Sequence, residues 1–175
     1  MEEICRGRRL VLARIVDDVM GRSLVADALI HPGAVAVVAV NNGMVLLERQ
    51  YRPVVGRWIY EIPAGTLEEE EDPEETAIRE MVEETGYRPG VLRHLASFYT
   101  SPGTSTEVLH LFLAGELEHV GARPEEDEVI EVLWVPLGKA ISMILDGRIN
   151  DAKTIIGLTL YYIKEGGGEH GGDEL

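Results

Sequence analysis

The stretch that most limits what this chain can fold into is Gly65 to Tyr87, GTLEEEEDPEETAIREMVEETGY, a loop running into a short helix with more carboxylates than a helix needs. Its helix signals agree with one another between Asp72 and Gly86. Asp72 is a good N-cap, Pro73 occupies the first helical position, Glu75 can close a capping box, and Gly86 supplies the stop. At about 100° per residue, Ala77, Ile78, Met81, Val82 and Thr85 fall on one side, which should face a core. Glu80, Glu83 and Glu84 fall on another side, with Arg79 beside Glu83. Like charges spaced three and four apart cost roughly a few tenths of a kcal/mol per pair, so something cationic should offset them. Arg79 can balance one carboxylate. A hard divalent ion, which takes oxygen ligands and leaves room for water and substrate phosphates, suits the others. The acid face taken alone would read as solvated surface, since most charge runs are that.

The remainder of the chain reads as scaffold around this helix. With 175 residues and 45% hydrophobic content, it can bury the core of one domain and leave some residues for an extension. Leu10 to Val16 and Ser23 to Ile30 alternate around a turn at Asp17-Asp18 and Gly21, which predicts a small N-terminal strand pair, an arm over residues 1–32. Ala34 to Val40 is apolar on both faces, as a central strand would be, and Asn41-Asn42-Gly43 turns it into a returning strand from Met44 to Glu48. Further strands are expected over Arg57 to Glu61, Val91 to Tyr99, Glu107 to Ala114 and Ile130 to Val135. Thr100 to Thr106 is a loop, and Glu118 to Glu128 a strongly acidic one. Leu137 to Leu145 and Asp151 to Lys164 have helical periodicity, with Asp151 as N-cap, and residues 166–175 form a flexible tail. This order implies an α+β (mixed) fold with helices on the faces of a sheet.

The net charge of −15 argues against nucleic acid or an anionic membrane as partner, because the basic cluster Arg6 to Arg9 is too short to neutralise many phosphates. No apolar run approaches the ~20 residues that span a bilayer, and the start has no signal-peptide core, so the chain should be cytoplasmic. Cys5 is the only cysteine, which leaves no internal disulfide and no paired-cysteine zinc site. The five histidines, His31, His94, His110, His119 and His170, show no ligand spacing.

Gly65, Glu71, Arg79-Glu80, Met81, Glu83-Glu84, Gly86 and Tyr87 stand at the spacing of the Nudix box, and the chain from about Ala34 onward resembles the Nudix hydrolases. Met81 and Tyr87 occupy positions where that family more often has Ile, Leu or Val. The resemblance implies an α/β/α sandwich over residues 33–165 and a divalent metal, Mg²⁺ with Mn²⁺ as a possible substitute. The ligands it implies are Glu80, Glu83, Glu84 and the backbone carbonyl of Ala64, with Glu71 behind them, Arg79 orienting a carboxylate, and Gly65 and Gly86 shaping the backbone. Pro102, sixteen residues beyond Gly86, and the segments QYRPVVGRWIYEIPAG and LHLFLA resemble the ADP-ribose pyrophosphatases within the family.

That closer resemblance implies hydrolysis of ADP-ribose to AMP and ribose 5-phosphate. Arg52 and Glu61 would hold the substrate, Trp58 would stack on its base, and Glu107 is a further candidate for the same pocket. The catalytic base would be Glu128, with Glu126 as the alternative, in the acidic loop. It also implies a homodimer through the arm, whose strands have too little apolar surface to stand alone. Two other readings remain open at this point. One is hydrolysis of a different nucleoside-diphosphate sugar or dinucleotide, such as GDP-mannose or NADH, and the other a non-catalytic module that binds nucleotide or cation.

Overall fold

The computed structural model describes residues 1–7, 10–68, 70–123 and 129–166. The chain begins with β1 (Glu2–Arg6), β2 (Val11–Val19) and β3 (Arg22–Ile30), continues through β4 (Ala34–Asn41), β5 (Met44–Arg52), β6 (Arg57–Glu61) and β7 (Ala64–Thr66), and reaches α1 (Pro73–Glu80). A π-helical turn, Met81–Thr85, extends α1. After it come β8 (Tyr87–Tyr99), β9 (Val108–His119), β10 (Ile130–Pro136), α2 (Leu137–Leu145) and α3 (Ala152–Tyr161).

β4 is central because its run Val35–Ala39 is apolar at every position and buried at every position. It pairs in parallel with β9 on one edge, and antiparallel with β7 and with the start of β5 on the other. The larger sheet runs β10-β5-β4-β9-β8, with β6 on β5 and β7 on β4. Alternate residues of β4 feed two cores. Val35, Val37 and Ala39 pack with Leu46 and Phe112 under Ala77 of α1 and Met81 of the turn that follows it. Ala36 and Val38 pack with Leu47, Ile62 and Leu111 under Ala140 and Met143 of α2 and Leu158 of α3. Helices thus cover both faces, which is the α/β/α sandwich of a mixed α+β fold.

β1, β2 and β3 form a separate three-stranded sheet. Of the turn expected through Asp17-Asp18 and Gly21, only Gly21 takes part. Asp17 and Asp18 pair with Leu24 and Ser23, and the chain reverses at Met20-Gly21, where φ is 53° and 74°. Two positive φ values in a row make the tight turn that matches strand twist, and the Asp17-Asp18 pair does not supply them. β1 is an addition to the expected strand pair. The reversal at Asn42-Gly43, with φ of 49° and 73°, is where the sequence puts it. β3 is tied to the loop before β9 through Leu29, whose N–H donates to the Thr104 carbonyl and whose carbonyl accepts from the Thr106 N–H. Val16, Met20, Leu24 and Val25 of this arm remain exposed.

Among the described residues, no helix is long and apolar enough to cross a membrane. The acidic-loop residues Glu125 to Glu128, the basic Arg8-Arg9 and the tail from residue 167 lie outside the described residues.

Candidate active site

The acid helix starts as its sequence suggests. Pro73 follows the N-cap Asp72, whose carboxylate accepts at 2.8 Å from the N–H of Glu74, rather than through a box closed by Glu75. Its far end differs from a regular wheel. The π-helical turn from Met81 to Thr85 winds more widely than an α-helix, so positions there rotate away from the 100° spacing. Thr76, Ala77, Met81 and Thr85 are buried, and so is Glu84, whereas Ile78, placed by periodicity in the core, is exposed. Gly86 ends the turn with φ of 76°.

Glu84 therefore looks away from Glu80 and Glu83. Glu84 is turned inward, where its Oε2 accepts from the backbone N–H of Ala64 at 3.0 Å. Glu80 and Glu83 both accept from Nη1 of Arg79, at 2.9 and 3.0 Å. The rest of that guanidinium forks onto Glu71 at 2.9 and 3.0 Å. Arg79 thus serves three carboxylates, and its fork holds the Glu71 carboxyl far below its ordinary range, at about 2.

Glycine at position 65 is a requirement of space. A Cβ there would sit 1.9 Å from Oε1 of Glu80, so the carboxylate lies directly against the backbone of β7. Gly86 is constrained in the same way, since its Cβ would come within 2.5 Å of the backbone nitrogen of Ala122. The N–H groups of Val120 and Gly121 donate to the Gly86 carbonyl, and that of Arg123 to the Glu83 carbonyl. Gly86 is thus both the stop of the helix and the seat for the chain that leads into residues 124–128. The sequence suggests only the first role.

Glu80 and Glu83 open into a cleft of ≈ 520 Å³ also lined by Arg52, Ala64, Gly65, Arg79 and His31. This donor set suits a hard divalent ion, being carboxylate oxygen on one wall and exposed β7 backbone, free of any Cβ at Gly65, on the other. Among the described residues, no three acidic, histidine or cysteine side chains converge to a metal-binding group. Arg79 lies between Glu80 and Glu83, and Glu84 is on the Ala64 N–H.

Across the cleft, Arg52 forks onto Glu61, Nε to Oε1 at 2.7 Å and Nη2 to Oε2 at 2.9 Å. Glu61 is 1% exposed and also bonds Nζ of Lys153, in the first turn of α3. Burial alone would raise its pKa, but Arg52 and Lys153 outweigh burial and hold it below the ordinary carboxylate range. Glu48 and Gln50 are buried on the same face of β5 as Arg52.

The other sequence-selected residues are spread around this centre. Register puts Trp58 opposite Tyr51, on the face away from Arg52, where it packs edge-on to Tyr51 and under the Arg49 guanidinium at 4.6 Å. Pro102 is exposed in the turn docked on β3. Glu107 accepts from the Thr100 hydroxyl and lies 3.6 Å from Nε2 of His31, so it stands behind the cleft wall. Glu126 and Glu128 lie outside the described residues. Sequence reasoning missed Lys153, the buried Glu48 and Gln50, and His31. For the first, the signal was a lysine in the opening turn of a helix, against the helix dipole. For the pair it was the polar alternation Glu48, Gln50, Arg52 along a strand bounded by apolar runs.

Carboxylates from one helix and an arginine from a strand, facing one cleft beside a sheet covered by helices, define the class: an α/β/α sandwich with a cleft lined by both acidic and basic side chains. Residues 30–157 match the model of the NUDIX domain, and the chain belongs to the Nudix family. It is 41% identical, over 94% of its length and 91% of the relative's, to an ADP-ribose pyrophosphatase of Bacillus subtilis (strain 168). It is 40% identical, over the same shares, to a methanol dehydrogenase activator of Bacillus methanolicus. A solved structure described as an ADP compounds hydrolase superposes with a TM-score of 0.81 at 21% identity, covering 93% of this chain and 89% of that one, which is a likeness of fold. The chain is a Nudix hydrolase, and such enzymes generally use divalent metal ions.

Proposed function

We infer that this hydrolase splits the diphosphate of ADP-ribose into AMP and ribose 5-phosphate, using Mg²⁺. The observation that carries the reading is the opposition, across one cleft, of Glu80 seated on Gly65 and Arg52 on its fork with Glu61. A relative named for this activity that matches along 94% of the chain supports the substrate.

When bound, the divalent ion supplies charge neutralisation at the diphosphate oxygens. Glu80, Glu83, Glu84 and the Ala64 carbonyl would hold it, and Arg79 would keep Glu71 as its partner while Glu80 and Glu83 turn to the cleft. Arg52 would meet the diphosphate as a charge-assisted donor. The attacking water forms a bond to phosphorus, the bridging oxygen leaves with the bond electrons, and the water's proton passes to Glu128, with Glu126 as the alternative base. Pro102 and Glu107 would border the far end of the substrate beside His31, whereas Trp58, on the opposite strand face under Arg49, stands away from this cleft. The exposed apolar residues of the arm, residues 1–32, support a homodimer in which the arms pair, with residues 33–165 as the hydrolase unit. The cytoplasm is the expected compartment.

Product analysis tests the reading. Purified protein with Mg²⁺ is offered ADP-ribose, ADP-glucose, GDP-mannose, NADH and a nucleoside triphosphate. AMP and ribose 5-phosphate should appear fastest from ADP-ribose. A faster reaction with another diphosphate would move the substrate assignment, and no cleavage with any divalent ion would leave a nucleotide- or cation-binding module.

A further inference from the structure

Lys153 stands where a helix least favours a cation. Asp151 caps α3, its Oδ2 accepting from the N–H of Thr154 at 3.0 Å and from the Thr154 hydroxyl at 2.6 Å, and Lys153 sits inside the same turn. The N-terminal end of a helix repels positive charge, so a lysine there needs a reason from elsewhere in the fold. That reason is Glu61. Its carboxylate is 1% exposed and receives the Arg52 fork on its two oxygens and the Lys153 ammonium on Oε2 as well. The turn that carries Lys153 is stitched to the same strand region, because the Ile62 N–H donates to the Thr154 hydroxyl at 2.9 Å. Lys153 also lies 3.1 Å from Asp151 Oδ1, so its position is fixed from two sides.

A carboxylate so buried cannot be left without a cation at acceptable cost. Were Arg52 the sole partner, an anion that drew the whole arginine fork into the cleft would strip Glu61 bare. With Lys153 in place, Glu61 keeps a positive partner whether Arg52 faces it or faces the cleft, where 40% of the Arg52 side chain is already exposed. We propose that Lys153 is a positioning residue for the diphosphate site: it holds Glu61 so that Arg52 is released to the substrate. The proposal rests on the reading of the cleft as a diphosphate site and adds a residue to it.

A double-mutant cycle over Lys153→Met and Glu61→Gln tests this, with steady-state kinetics on ADP-ribose at saturating Mg²⁺. Lys153→Met should raise KM about tenfold or more and leave kcat within about twofold, because the competent orientation of Arg52 becomes rare. In the Glu61→Gln background no charge remains to be neutralised, so adding Lys153→Met should change KM by less than about threefold. The double variant carries no unpaired buried charge, which keeps the comparison available even if the single lysine variant folds poorly. An unchanged KM in Lys153→Met, or an equal rise in both backgrounds, would overturn the proposal. The same cycle is run by calorimetry with inorganic pyrophosphate and Mg²⁺. If the wild type fails to cleave ADP-ribose but the cycle in pyrophosphate affinity follows this pattern, the substrate assignment falls and the role of Lys153 stands. If ADP-ribose is cleaved and neither cycle shows coupling, the reverse holds.

Discussion

Two arginines line the same cleft in opposite company. Arg79 is one cation among three carboxylates, Glu71, Glu80 and Glu83. Arg52 shares a single carboxylate, Glu61, with a second cation, Lys153. The first cluster has oxygen to spare and is completed by positive charge. The second sets Arg52 and Lys153 against Glu61 and Asp151, and offers an incoming anion the half-exposed side of Arg52. A diphosphate carried with a divalent ion satisfies both at once, and neither cluster would be satisfied by half of that pair. Acidity dominates the chain, yet the cleft is divided by function rather than uniformly negative.

The largest break in this comparison should come from the oxygen-rich side. Glu84→Gln keeps an acceptor for the Ala64 N–H but removes the charge, so kcat should fall about 10²–10³-fold with the melting temperature little changed. Activity and thermal unfolding measured on one preparation check this, and a simultaneous loss of fold would move Glu84 from chemistry to structure. Gly65→Ala attacks the same side through shape. Its methyl group would displace the Glu80 carboxylate, and a displacement near 1 Å costs about 10²-fold in kcat. On the Arg52 side, Arg52→Ala should raise KM for ADP-ribose by roughly 10- to 30-fold, the loss of one charge-assisted contact, while Lys153 still neutralises Glu61 and preserves the fold.

The smallest expected effect sharpens the comparison through pH. Glu71 has its pKa depressed to about 2 by Arg79, against an ordinary value of 4.5. Its contribution to stability is therefore fully present above pH 4.5 and is lost as pH falls through 2. Glu71→Gln should flatten the fall in melting temperature across that window and leave the neutral region nearly parallel to wild type. An acid limb as steep in the variant as in wild type would mean that the fork on Arg79 adds nothing to stability.

Local chemistry made much of this fold legible before any coordinates. Asn42-Gly43 could only be a tight reversal, Asp72-Pro73 could only open a helix, and an all-apolar Val35–Ala39 could only sit between layers. What escaped depended on partners distant in sequence or on departures from regular winding. Glu84 reads as a surface acid on a uniform wheel and is buried because the chain passes into a π-helical turn. Lys153 and Glu61 are ninety-two positions apart, and nothing near either one reveals the other. The turn read through Asp17-Asp18 and Gly21 shrinks to Met20-Gly21, because acidic pairs are common in turns and the pairing that carries Asp17 and Asp18 onward is set by β3.

The parallel pairing of β4 with β9 joins Ala34 to Leu109 and encloses α1 in the intervening loop of chain. Closing so long a loop costs entropy before any contact rewards it, which makes this pairing a slow event in folding. A nascent chain that has emerged as far as Gly86 already carries every glutamate of the acid helix. It still lacks the strand that pins β4, the platform on which that helix rests. Catalytic competence therefore arrives late in synthesis, after β9, and a ribosome stalled before His119 would hold a protein with its chemistry written but not assembled.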